Sequence, residues 1–170
     1  MQVRAATPED AAAIQAIYAH HVLHGLGTFE EAPPDVEEIV ARMAAIAADG
    51  LPWLVVEDGG AIAAYAYASQ FRPRTAYRFT VEDSVYVAPA AVGRGCGRIA
   101  LAALISACEA LGKRRMAAVI GDSGNAASIG LHRALGFEPA GVLHDIGFKH
   151  GRWVDVVLME RVLDPPVAKA

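Results

Sequence analysis

The run Val92-Gly93-Arg94-Gly95-Cys96-Gly97-Arg98 constrains this chain more than any other stretch. It separates a β-branched segment, 80–87, from an apolar segment, 99–111. Three glycines in five residues carry no Cβ, so the backbone can curl tightly and expose its N–H groups. A helix opening beyond the curl adds the positive end of its dipole, and together they make an anion site suited to pyrophosphate. Arg94 and Arg98 add charge to it. Other phosphate loops fit less well. A P-loop carries Lys-Ser/Thr after its last glycine, where this chain has Arg98-Ile99. A dinucleotide fingerprint is G-x-G-x-x-G near a first strand, whereas the spacing here is G-x-G-x-G and about half the chain precedes it. A bland reading stays open: a glycine turn that only lets strand and helix pack.

The flanking pattern reads as alternating strands and helices. Strands are expected over 2–5, 53–57, 61–70, 80–87 and 116–120. Thr7-Pro8-Glu9-Asp10 opens a helix that Gly25 stops, and Asp35 caps a second helix through 48. Helices are also expected over 99–111 and 125–135. Asp58-Gly59-Gly60 and His150-Gly151 are hairpin turns, the latter joining strands 142–148 and 153–161. The order β-α-α-β-β-β-α-β-α-β-β predicts an α/β (α+β) domain, a mixed sheet with helices on its faces. The 170 residues suit one domain over 1–163, with a frayed tail at 164–170.

The formal net charge of −4 argues against a nucleic-acid partner. Cys96 and Cys108 fall on one helix, roughly 18 Å apart at helical rise and beyond disulfide reach. Reduced thiols point to the cytoplasm. Arg4 interrupts any apolar leader core, and the apolar run 99–108 is half a membrane span, so no membrane association is expected.

The glycine run and a second mark together resemble the GNAT N-acetyltransferase superfamily. Its core motif is Q/R-x-x-G-x-G/A; Gly95 and Gly97 match the glycines, while Val92 departs from Gln or Arg. The second mark is Asn125-Ala126-Ala127-Ser128 followed by Leu131-His132-Arg133-Ala134-Leu135-Gly136-Phe137. Within the superfamily, Thr28-Phe29-Glu30, Arg72-Pro73-Arg74, 80–87 and 147–153 are similar to the phosphinothricin and methionine sulfoximine acetyltransferases. The resemblance implies a mostly antiparallel sheet of about seven strands flanked by about four helices. It implies acetyl-CoA as co-substrate, no metal, direct transfer to a small amino-acid-like amine in a ternary complex, and commonly a homodimer. It places the cofactor on the backbone of Val85, Tyr86 and Val87, on Gly93, Arg94, Gly95, Cys96, Gly97 and Arg98, and on Asn125 and Ser128.

The chemistry is amine attack on a thioester, so a base must take the proton of an ammonium group. Glu82, in an otherwise apolar strand, is the candidate, because partial burial would raise its pKa toward the working range. Its alternative is a carboxylate paired with Arg78. Strand alternation turns Asp83 to the opposite face. The resemblance implies the Val87 N–H as oxyanion donor and His132 as the acid for the leaving thiolate; a helix-packing histidine four residues from Ser128 reads equally well. Phe29, Arg72, Arg74, Tyr77 and Arg78 are candidates for an anionic acceptor, unless they are simply solvated in a polar loop. Lys149, His150 and Trp153 belong to the substrate mouth or to a dimer contact. His20 and His24 stand one helical turn apart, but the zinc-protease signature would need Glu at 21. Gly121-Asp122-Ser123-Gly124 lacks the partners of a serine nucleophile. Two other functions stay open: acetylation of a protein N-terminus or lysine, and a non-catalytic acyl-CoA-binding module.

Overall fold

Strand β3 (Ala61–Gln70) buries Ala63, Ala64, Tyr65, Ala66 and Ala68 in succession, so both of its faces must be covered. The computed structural model, which describes residues 1–164, covers them with helices on each side. The elements are β1 (Gln2–Ala5), α1 (Ala11–His24), α2 (Val36–Ala48), β2 (Trp53–Asp58), β3, β4 (Thr80–Val87), α3 (Cys96–Ala110), β5 (Arg115–Gly121), α4 (Ala126–Ala134), β6 (Glu138–Lys149) and β7 (Arg152–Val162). One seven-stranded sheet runs β1-β2-β3-β4-β5-β7-β6. Every neighbouring pair is antiparallel except β4 and β5. This is the mixed, mostly antiparallel sheet expected from the sequence. Beyond Asp164, the tail expected over 164–170 lies outside the described residues.

One core packs Leu101, Leu104 and Ile105 of α3 on Ala64, Ala66, Val81 and Met116. The other packs Ile14, Val22, Ile39 and Met43 of α1 and α2 on Trp53, Val55 and Tyr65. Cys96 and Cys108 are buried free thiols within the first core. The Asp35 carboxylate caps α2 by accepting the Glu38 N–H at 2.8 Å, a contact of about 1 kcal/mol. Gly59 and Gly60 (φ 61° and 82°) and His150 and Gly151 (φ 49° and 75°) make the two expected hairpin turns, each with positive φ at both central residues.

Three boundaries differ from the sequence reading by three residues or more, the first because Pro8–Asp10 forms a 3-10 turn, so that α1 begins only at Ala11. Helix α3 begins at Cys96, three residues before the expected start at 99, because Gly95 takes the left-handed N-cap conformation at φ 82°. Cys96, Gly97 and Arg98 therefore form the first helical turn. Strand β6 begins at Glu138, well before the expected 142, since pairing with β7 holds it despite a bulge between Leu143 and Gly147.

The feature that positions the site is the parallel pair. β4 and β5 pair only over Thr80–Asp83 with Arg115–Ala118. Beyond that the strands separate, and Ser84–Val87 faces 119–121 across an open gap. Such divergence at the carboxyl ends of parallel strands is where open sheets place ligands.

Candidate active site

The gap is the floor of a cleft of about 990 Å³. Its backbone chemistry follows from the phase of the β3–β4 ladder. Phe71 N–H donates to Thr80 O, and Ala88 N–H donates to Ala63 O. Even-numbered residues of β4 thus direct their backbone groups at β3, and Val85 and Val87 direct theirs into the gap. His21 Nε2 donates to Val87 O at 2.8 Å, and burial lowers the His21 pKa, which keeps that ring neutral. Among the described residues the Val87 N–H has no acceptor across the gap.

At one end of the cleft stands the glycine curl. Gly93 and Gly95 have φ of 78° and 82°, which few other residues adopt. The first bond of α3 from its cap runs from Ile99 N–H to Gly95 O. The N–H groups of Cys96, Gly97 and Arg98 are then the unpaired donors of a first helical turn. A Cβ on Gly97 would come within 3.1 Å of Val87 Cγ2, so glycine lets the curl close on the strand. These donors and the dipole behind them suit a phosphodiester. The Arg94 guanidinium is instead paired with Asp58 of the β2–β3 hairpin. The Val92 side chain is exposed and contributes no polar contact.

Helix α4 closes the far wall. Asn125 caps it, with Oδ1 accepting the Ser128 N–H at 3.1 Å and Nδ2 donating to Gly121 O at 3.5 Å. His132, one turn on from Ser128, is 2% exposed. Its Nδ1 lies 2.8 Å from Ser128 O; a carbonyl only accepts, so Nδ1 carries a proton. Its Nε2 lies 2.9 Å from Asp83 Oδ2. Burial alone would lower the His132 pKa, but the Asp83 carboxylate and the Ser128 carbonyl outweigh it and raise it. Asp83 turns to this face, opposite Glu82, as strand alternation requires. Its role as the partner of His132 was not foreseen, although one carboxylate among Val81, Val85 and Val87 on the apolar side of β4 was the available signal.

Glu82 shares the other face with Ser84 and Tyr86 and lies in the same cleft as Tyr67 and Phe29. Burial raises its pKa; Arg72 lowers it in part, and Asp83 raises it further. The alternative ion pair with Arg78 does not form: Arg78 donates to Thr75 O at 3.2 Å and stacks on Phe79.

The cleft therefore gathers Glu82, Val85, Tyr86, Val87, Gly93, Gly95, Cys96, Gly97, Arg98, Asn125, Ser128, His132 and Phe29. It does not gather Arg72, Arg74, Tyr77 and Arg78, which lie outside it on the exposed 71–79 connection, just before Glu82. Arg72 stacks on Phe71 and acts on Glu82 only through its charge. Among the described residues no three His, Cys, Asp or Glu side chains cluster to hold a metal ion. No helix among them is long and apolar enough to cross a membrane.

A family model described as Acetyltransferase (GNAT) domain matches residues 3–158. The chain is 56% identical over 162 residues to a phosphinothricin N-acetyltransferase of Alcaligenes faecalis, covering 95% of this chain and 82% of that protein. It is 40% identical to the L-methionine sulfoximine/L-methionine sulfone acetyltransferase of Salmonella typhimurium, covering 99% and 98%. A crystal structure of a GNAT superfamily phosphinothricin acetyltransferase from Sinorhizobium meliloti, in complex with AcCoA, superposes with a TM-score of 0.93 at 47% identity, covering 99% of this chain and 91% of that one.

Proposed function

Since the chain belongs to the GNAT acetyltransferase family, we propose that it transfers acetyl from acetyl-CoA to the amine of a small amino-acid-like acceptor of the phosphinothricin, methionine sulfoximine or methionine sulfone type. The observation that carries this is the gap between β4 and β5, which places unpaired backbone donors and the half-buried Glu82 on one cleft.

The N–H groups of Gly93, Gly95, Cys96, Gly97 and Arg98 hold the pyrophosphate, with Arg94 joining once it leaves Asp58. The gap-facing backbone of Val85 and Val87, with Tyr86 between them and Asn125 and Ser128 opposite, orients the pantetheine arm. Glu82, directly or through one water, takes the proton of the incoming ammonium, whose ordinary pKa is about 7.7–8.0. The Val87 N–H meets the negative charge that builds on the thioester oxygen. His132 supplies a proton to the departing thiolate. Its Nδ1 proton is committed to Ser128 O, so the transferable one is that on Nε2, shared with Asp83. Phe29 walls the acceptor, and Arg72, which lies outside the cleft but acts on Glu82 through its charge, attracts the acceptor's anionic end to the cleft mouth.

Exposed Val142, Leu143, Ile146, Phe148 and Trp153 on the last hairpin support a homodimer packed through that hairpin. The buried reduced pair Cys96 and Cys108 supports a cytoplasmic setting.

A thiol-release assay with acetyl-CoA tests the acceptor class on phosphinothricin, methionine sulfoximine, methionine sulfone, methionine and a peptide with a free N-terminal alanine. Turnover should be fastest on the three acceptors with tetrahedral phosphorus or sulfur. Turnover on the peptide alone would contradict the proposal.

A further inference from the structure

The segment Gly147-Phe148-Lys149 ends β6, and its side chains alternate across the strand. Phe148 faces outward against Trp153, with ring centroids 5.1 Å apart. Gly147 and Lys149 face inward, and both meet the loop between α1 and α2 at adjacent residues. Lys149 is 0% exposed, and its Nζ donates to Thr28 O at 2.7 Å across 121 positions of sequence. Next along the loop, the Phe29 ring occupies the space a side chain at 147 would need: a Cβ there would lie 2.3 Å from Phe29 Cε2 and 2.6 Å from Cζ. The other side of this loop is fixed independently. Tyr18 hydroxyl bonds Thr28 Oγ1 at 2.8 Å and Glu30 at 2.9 Å, and Arg42 of α2 pairs with Glu30 at 2.7 Å.

A buried ammonium is costly and survives only where its contacts repay the lost hydration. Glu30 and Glu31 supply opposite charge near Lys149. Neither Lys149 nor Gly147 lines the cleft, whereas Phe29 does, with 40% of its surface exposed. Their influence on the site therefore passes through Thr28 and Phe29.

We propose that Lys149 and Gly147 form a clamp that fixes the Phe29 ring as the wall for the acceptor side chain, making Lys149 a positioning residue and the clamp a determinant of acceptor selectivity. The proposal rests on the acceptor reading above. Acceptors whose side chain is long enough to lie on Phe29 depend on the clamp; glycine, with no side chain, does not.

The test uses Lys149→Met, which keeps the aliphatic stem, and Gly147→Ala, which pushes the ring aside. For methionine sulfone, each variant should lose about tenfold or more in kcat/KM, mainly through KM, while glycine and acetyl-CoA values stay within about twofold. In a Phe29→Ala background, Gly147→Ala should add less than about twofold, because the ring it displaces is gone. Hydrogen exchange over residues 25–31, read without substrate, should quicken in Lys149→Met. Equal losses for both acceptors, a matching rise in acetyl-CoA KM, full additivity with Phe29→Ala, or unchanged exchange would overturn the clamp. If Lys149→Met does not fold, the Gly147→Ala and Phe29→Ala pair still decides. A wild-type protein inactive on methionine sulfone would defeat the acceptor reading instead, and the exchange measurement would still judge the clamp.

Discussion

Gly121→Ala tests whether the acceptor loop is seated as tightly as the packing indicates. Gly121 ends β5, and a Cβ there would stand 2.1 Å from the Leu26 carbonyl oxygen and 3.3 Å from Gly27 Cα. Both neighbours are backbone, so no side chain can rotate away. A carbon–oxygen contact relaxes near 3.3 Å, so strand and loop must part by roughly 1 Å. Overpacking of this kind costs about 1–3 kcal/mol, which in a chain of this size lowers Tm by about 2–12 °C. Leu26 and Gly27 line the cleft just before Thr28 and Phe29. A displacement of about 1 Å at a site that positions substrate can cost about a hundredfold in rate. Thermal melting and the thiol-release assay on the same preparation measure both effects. A Tm within about 1 °C of wild type together with kcat/KM within about twofold would refute the reasoning, since the contact would then be one the molecule escapes freely.

Asn125→Ala should remove the cap of α4, costing about 1 kcal/mol in denaturant unfolding, and should raise the KM for acetyl-CoA more than that for the acceptor. Asp83→Ala reports on His132. The folded His132 pKa is raised, so its stabilisation is present below the ordinary value of 6.5 and is lost as pH rises through the higher folded value. The stability lost in Asp83→Ala, measured by chemical denaturation, should therefore be larger near pH 6 than near pH 8; a loss that grows with pH would contradict the pairing.

Much of this was legible in the sequence where local chemistry decides. The turns at Gly59-Gly60 and His150-Gly151, the Asp35 cap and the 80–87 strand are short-range signals, and the structure places each where expected. Residues 96–98 read as turn because Gly97 disfavours helix; its packing against Val87 and Leu131 overrides that preference. The start of β6 was hidden because residues 138–146 are exposed and carry no alternation, so only pairing with β7 defines it. The contacts that build the site are the least legible. Asp83 with His132 spans 49 positions and Lys149 with Thr28 spans 121, and no periodicity records either. The arginines of the 71–79 connection looked like a binding cluster by composition. In the folded chain Arg72 and Arg78 lie on neighbouring rings outside the cleft.

The central claim is that Glu82, its pKa raised by burial on the β4 face of the gap, accepts the ammonium proton during transfer from acetyl-CoA. The most direct test is the pH profile of kcat/KM with methionine sulfone for wild type and Glu82→Gln, alongside calorimetric titration of CoA into each. The wild-type profile should show an acid limb above the ordinary carboxylate value of 4.5, since burial raises this group. Glu82→Gln should lose that limb and about 10²–10⁴-fold in rate, or about 2.7–5.4 kcal/mol of barrier, with CoA affinity unchanged. Superimposable profiles at equal rates would contradict the account.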